Sequence, residues 1–159
     1  MSSNKRSIVK INGPKPFTLN RGKLISIANN SISNTYINTL LKRRRNKRQY
    51  VVSANNAGNV NGFAIVGPNY NINNRKYMYL HLIAVRGKGN KGVSRGKGVG
   101  TALLARIVQN AKNRKVNEII LNAIPSAKTW YNKVGFRRPN YSMGNNNMMS
   151  LNLRASRLS

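Results

Sequence analysis

The stretch Arg95-Gly96-Lys97-Gly98-Val99-Gly100-Thr101-Ala102-Leu103-Leu104 decides how the rest of this 159-residue chain is read. Its three alternate glycines leave backbone N–H groups unshielded where an amphipathic run begins. Leu103, Leu104, Ile107, Val108 and Ala111 fall on one helical face, with Arg106, Gln109, Asn110 and Asn113 opposite. A glycine turn entering a helix N-terminus can donate several hydrogen bonds to a pyrophosphate, and the helix dipole adds to the attraction. No Gly-Lys-Ser/Thr follows, so the turn is not a P-loop, and its spacing is not Gly-x-Gly-x-x-Gly. Alone, the segment from Arg95 to Gly100 reads equally well as a basic loop. Its surroundings give it meaning: a long strand is expected before it, at 76–85, and a buried strand after the helix, at 118–124.

Upstream, Ser7-Ile8-Val9-Lys10-Ile11 reads as a short strand ended by Asn12-Gly13-Pro14. Thr18 or Asn20 is placed to cap a helix through Leu24, Ile25, Ile27 and Ala28. A second helix carries Ile32, Tyr36, Ile37, Leu40 and Leu41. Strands at 50–54 and 60–66 are joined by the hairpin-type link Asn55-Asn56-Ala57-Gly58-Asn59, and a polar link leads on to 76. Downstream, Pro125 closes the buried strand, Ser126 is placed to cap a short helix at 128–133, and Gly135 ends it. A last strand at 148–153 completes one domain over residues 1–153, with a basic tail at 154–159.

The chain carries 29 Lys and Arg against one acid, Glu118, for a formal net charge of +28. With no Asp, no Cys and one His, it excludes paired-carboxylate catalysis, a Ser-His-Asp triad, carboxylate-ligated Ca²⁺ or Mg²⁺, and a zinc site built by one chain, so no metal is expected. No apolar run reaches a membrane span and the polar start has no signal-peptide core, so the expectation is a soluble, intracellular, non-secreted protein. The simplest relief for such self-repulsion is a polyanionic neighbour, whether DNA or RNA bound without sequence preference, an acidic assembly or an anionic membrane surface, and the alternative is a solvated basic surface. The densest patch, Lys42, Arg43, Arg44, Arg45, Lys47 and Arg48, is the candidate contact, although cations at a helix C-terminus also answer its dipole.

Three segments in order, Leu82-Ile83-Ala84-Val85, the glycine stretch, and Ala127-Lys128-Thr129-Trp130-Tyr131-Asn132-Lys133-Val134-Gly135-Phe136, resemble the GNAT family of acetyl-CoA-dependent N-acetyltransferases. The glycine stretch is similar to that family's Arg/Gln-x-x-Gly-x-Gly/Ala motif, and the last segment to its Ala-x-x-x-Tyr-x-x-x-Gly-Phe signature. The close resemblance covers residues 77–136. It implies an α+β GNAT fold, a mixed central sheet of about six to seven strands with about four helices. By resemblance, Val85 and the turn Arg95, Gly96, Lys97, Gly98, Val99, Gly100 and Thr101 would hold acetyl-CoA as cosubstrate. Tyr131 would protonate the leaving thiolate.

The base is harder to find, because many family members use Glu or Asp, and Glu118 sits at a strand's edge. His81 is the candidate. Tyr79-Leu80-His81-Leu82-Ile83-Ala84-Val85 is similar to the His-Leu-His-Ala-Leu-Ala-Val strand of aralkylamine acetyltransferases, with Tyr in place of the first His. An imidazole titrating near about 6.5 can take a proton at neutral pH. Two further departures are Ile124, where the family often has Asn, and a basic loop at 86–94 about four residues longer than usual. Two functions follow. One is an N-acetyltransferase acting on an amine of unknown identity beside a polyanion. The other is a GNAT-fold basic structural or packaging protein, of a large DNA virus particle or a nucleoprotein assembly, with little or no catalysis.

Overall fold

The computed structural model describes residues 10–16, 21–28, 34–43, 50–56, 59–85, 98–139 and 147–154. These form one six-stranded sheet in sequential order: β1 (Lys10–Pro16), β2 (Tyr50–Asn56), β3 (Asn59–Ile72), β4 (Arg75–Val85), β5 (Glu118–Asn122) and β6 (Met148–Asn152). All neighbours are antiparallel except β4 and β5. A parallel pair needs a crossover, and α3 (Val99–Asn113) supplies it. Helices α1 (Arg21–Ala28) and α2 (Asn34–Arg43) lie between β1 and β2 in sequence. A 3-10 turn at Pro125–Ala127 leads from β5 into α4 (Lys128–Lys133).

The apolar stripe read on α3 is buried: Leu103, Leu104, Ile107, Val108 and Ala111, joined by Val99, pack with Met78, Leu80, Ile119, Leu121 and Leu151 from the sheet. Each such side chain, fully buried, contributes about 1.5–3 kcal/mol. The other face of β3 and β4 gathers Phe63, Ile65 and Ala84 under Leu24, with Ile25 of α1 and Tyr36 of α2 packed against them. Gly135 ends α4 at φ 112, a conformation an L side chain resists.

Arg106, opposite the apolar stripe of α3, is only partly exposed. Its guanidinium donates to the carbonyls of Gly13 and Ile11, both at 3.1 Å. Gly13 lies where β1 departs from regular register between Asn12 and Lys15, and Ile11 just before it. Arg106→Met, which keeps the stem and removes both donors, is expected to lower stability by about 2 kcal/mol. A urea unfolding curve with a lowered midpoint and unchanged slope would show it.

Some expectations need correction. The Asn12-Gly13-Pro14 stretch does not end the first strand, which runs on to Pro16. The polar link after Val66 is strand: β3 reaches Ile72 and turns into β4 through Asn73 and Asn74, at φ 49 and 63. This is the geometry of a two-residue primed hairpin turn. β5 stops at Asn122, leaving Ile124 60% exposed. Ser126 does not cap α4: Ala127 holds that position, without a side-chain cap bond. Residues 7–9, Thr18, Asn20, Ile32 and the tail beyond Arg154 lie outside the described residues.

Candidate active site

β4 and β5 pair only at Tyr77–Glu118, Met78–Ile119 and Tyr79–Ile120. Beyond that row β4 follows β3 as far as Val85 opposite Gly62. β5 follows β6, with Asn122 opposite Met148. The sheet therefore parts past Tyr79, and the β5-facing edge of residues 80–85 has no strand against it among the described residues. Backbone N–H and C=O groups along such an edge need partners.

A bulge sits at the parting. Ile65 faces Leu82 but Val66 faces Leu80, so His81 is one residue too many in β4. The bulge exchanges the strand's faces. Met78 and Leu80 belong to the core under α3, whereas after His81 it is Leu82 and Ala84 that join the α1–α2 side. The His81 ring bonds through Nε2 to the carbonyl of Gly67. A carbonyl only accepts, so in the neutral ring Nε2 carries the proton and the basic lone pair sits on Nδ1. The ring also lies 4.6 Å, centroid to centroid, from Tyr79.

Tyr36 joins this bulge to the far side of the cleft. From α2 its hydroxyl donates to the His81 carbonyl at 2.9 Å. It also acts on Tyr131 of α4: burial, chiefly, and then the neighbouring Tyr36 hydroxyl push the Tyr131 hydroxyl from 10.0 up to about 12. Tyr131 is wedged edge-on between Trp130 and Phe136, at ring distances of 5.1 and 5.5 Å. The motif tyrosine is thus held protonated at every ordinary pH. Nothing in the spacing of Tyr36 announced it, because a tyrosine on the apolar face of a helix reads as core.

The glycine turn lies at the same mouth. Gly98 precedes α3 at φ 88, has no side-chain cap bond, and a Cβ built on it would meet nothing within 4 Å. Ala102 N–H closes the first helical bond onto the Gly98 carbonyl at 2.8 Å. The N–H groups of Val99, Gly100 and Thr101 therefore have no acceptor within the helix. No acid stands in that first turn. Gly100 backs onto Trp130 and Val85, whose side-chain atoms lie 3.3 and 3.7 Å from where its Cβ would be. The turn so brings together the end of β4, the start of α3 and α4. An anion fits this donor set.

Of the residues expected at the site, His81, Val85, Gly98, Val99, Gly100, Thr101 and Tyr131 are described and lie around this parting; Arg95, Gly96 and Lys97 lie outside the described residues. Glu118 starts β5 at the far end from the cleft and pairs with Arg75 at 2.8 Å. In the candidate polyanion run, Lys42 is exposed in the last turn of α2 and Arg43 ends that helix, while Arg44, Arg45, Lys47 and Arg48 are outside the described residues. Among the described residues there is no cluster of metal-ligating side chains, and no helix long and apolar enough to cross a membrane.

The acetyltransferase (GNAT) domain model matches residues 25–154. Among solved structures, the chain is similar to the PaiA N-acetyltransferase of Thermoplasma acidophilum in complex with coenzyme A. That match has 15% identity and a TM-score of 0.63, over 91% of this chain and 99% of that one. A GNAT acetyltransferase of Elizabethkingia anophelis with acetyl-CoA bound matches at 18% identity and TM-score 0.60, over 91% and 97% of the two chains. One from Staphylococcus aureus Mu50 matches at 20% and 0.60, over 92% and 99%. No curated protein sequence matches the chain. Since the domain match runs from inside α1 to just past β6 and so spans the parted sheet, the chain belongs to the GNAT acetyltransferase family.

Proposed function

We propose that the chain transfers an acetyl group from acetyl-CoA to an amine at the parting of β4 from β5. The observation that carries this is that the β4 edge at residues 80–85, flanked by no described strand, ends at Val85 beside Gly100 and the N–H groups that begin α3. The pyrophosphate would lie on Val99, Gly100 and Thr101, with Arg95, Gly96 and Lys97 contributing as in the family motif. The pantetheine arm would lie along β4 towards Val85. Two relatives by fold hold coenzyme A or acetyl-CoA, which supports the same ligand here.

In this reading the amine nitrogen attacks the thioester carbonyl and the C–S bond breaks. A backbone N–H of the bulged strand would polarise the carbonyl, Tyr131 would give its proton to the departing thiolate, and the His81 imidazole would take the proton lost by the amine. Gly67 orients the imidazole as the third member of such a relay does. The +28 field draws in anionic acetyl-CoA and repels a cationic acceptor. The favoured acceptor is therefore an uncharged amine or one carried on a polyanion, DNA, RNA or an acidic assembly. A second reading, a basic GNAT-fold component of a virus particle or nucleoprotein assembly with little catalysis, draws on one fact. The sole carboxylate is spent on Arg75, away from the cleft.

The test is amine-dependent release of free thiol from acetyl-CoA across an acceptor panel. His81→Gln keeps a donor for Gly67 but lacks an imidazole, and is expected to slow transfer about a hundredfold at neutral pH. The deficit should shrink at high pH, where the amine has already lost its proton. Acetyl-CoA binding should be unaffected. Wild-type protein that releases no thiol with any amine would leave the structural reading standing.

A further inference from the structure

The turn that begins α3 rests on a strand that does not border the cleft. In β3, Gly62 sits opposite Val85 and on the α3 side of the sheet, because Ala64, two residues on, belongs to the core under α3, whereas Phe63 packs under Leu24 of α1. A Cβ built on Gly62 would lie 3.1 Å from Val99 Cγ1, 3.3 Å from Leu103 Cδ1 and 3.1 Å from the Ala84 carbonyl oxygen. Carbon atoms in comfortable contact stand about 3.5–4.0 Å apart. The backbone does not call for glycine here, since Gly62 is outside the left-handed region. The lack of room does.

What a side chain at position 62 would displace is the start of the helix. β4 is laddered to β3 at this point, with Ala84 opposite Phe63 and Val85 opposite Gly62, so the strand pair has little freedom to give. Further along, α3 is fixed: Ile107, Val108 and Ala111 are buried over the sheet, and Arg106 is bonded to two β1 carbonyls. At its start, Gly98 gives no side-chain cap bond, and Val99 and Leu103 are the side chains that bear on β3. Crowding there therefore tips the first turn by a few tenths of an ångström and leaves the body of the helix in place.

We propose that Gly62 is a positioning residue: its missing side chain sets the height of the N–H groups of Val99, Gly100 and Thr101 over the end of β4, so that one ligand can meet both. A pyrophosphate needs those donors aligned, and hydrogen bonds to a charged group lose most when misplaced. A pantetheine arm needs only the strand edge. Gly62 therefore governs one part of the ligand and not the other, which a residue serving the core alone would not do. The inference rests on the acetyl-CoA site given above and extends it to a strand on the far side of β4.

The test follows binding to the full-length protein through the fluorescence of Trp130, its one tryptophan, which lies against Gly100. Gly62→Ala is expected to weaken acetyl-CoA about tenfold, and acetyl-pantetheine, which has the arm without the pyrophosphate, less than about twofold. Val99→Ala empties the same contact instead of crowding it. It should give the same split at about threefold, and it carries the test if Gly62→Ala does not fold. In the double variant the added methyl takes the place of the one removed, so most of the loss caused by Gly62→Ala should be recovered. Equal loss of both ligands, undiminished acetyl-CoA binding, or a double variant no better than Gly62→Ala would overturn the proposal. Inorganic pyrophosphate, followed through the amide resonances of Val99, Gly100 and Thr101, separates it from acetyl transfer. Pyrophosphate held there and weakened by Gly62→Ala, in a protein that binds no acetyl-CoA, refutes acetyl transfer alone. Acetyl-CoA bound without regard to Gly62 refutes the positioning role alone, and binding of neither refutes both.

Discussion

Tyr131→Phe is expected to lower kcat for acetyl transfer about a hundredfold or more while leaving the Kd for acetyl-CoA nearly unchanged, because a ring of the same shape remains and only the proton donor is lost. The pH profile should be equally telling. With its hydroxyl pushed up to about 12 by burial and by Tyr36, Tyr131 stays protonated through the assay range. The wild-type rate should therefore rise as the amine loses its proton, with no falling limb below about pH 11. An ordinary tyrosine donor would begin to fail near about pH 10. Because the folded state holds this proton more tightly than the unfolded chain, its contribution to stability is complete below pH 10.0 and is lost as pH rises through about 12. Folding must thus be checked alongside activity at the alkaline end. A Phe variant as fast as wild type would remove Tyr131 from the mechanism.

Gly98→Trp is expected to weaken acetyl-CoA binding about a hundredfold, the worth of two charge-assisted hydrogen bonds at about 1.5 kcal/mol each. Gly98 has φ 88, so any side chain there costs about 1–2 kcal/mol of strain, but the space around its Cβ is open. The indole can therefore be accommodated by the protein, and what it obstructs is the approach to the N–H groups of Val99, Gly100 and Thr101. Gly98→Ala carries the strain without the obstruction and should retain most of the affinity. Calorimetric titration at moderate salt measures both, with circular dichroism reporting the fold. Undiminished binding by the Trp variant would place the pyrophosphate elsewhere.

What could be read in advance follows the periodicity of burial. α3 was legible because its stripe repeats at helical spacing against a polar remainder, and every residue assigned to that stripe is buried. The bulge was not, since Leu82-Ile83-Ala84-Val85 is apolar throughout and an exchange of faces leaves no trace in it. Asn73 and Asn74 lack the glycine that usually marks a tight hairpin, although Asn tolerates the same backbone. Arg106 fits the polar face of a helical wheel, and its partners lie 93 and 95 positions away in β1. The glycine turn and Tyr131 stand out in the sequence only through motif resemblance, whereas Tyr36 acts through a contact 45 residues distant that no local pattern carries.

The short seam between β4 and β5 has a consequence for the molecule as a material. Three residue pairs hold strands β1–β4 to strands β5–β6 within the sheet, and α3 spans the two groups. An acyl-pantetheine chain lying in the gap, as proposed, would act as a seventh, removable strand that splices the halves. Its occupancy would then set the stiffness of the whole sheet as well as the course of one reaction. At a concentration one hundred times Kd, such a splice would add about 2.7 kcal/mol to the stability of the folded chain.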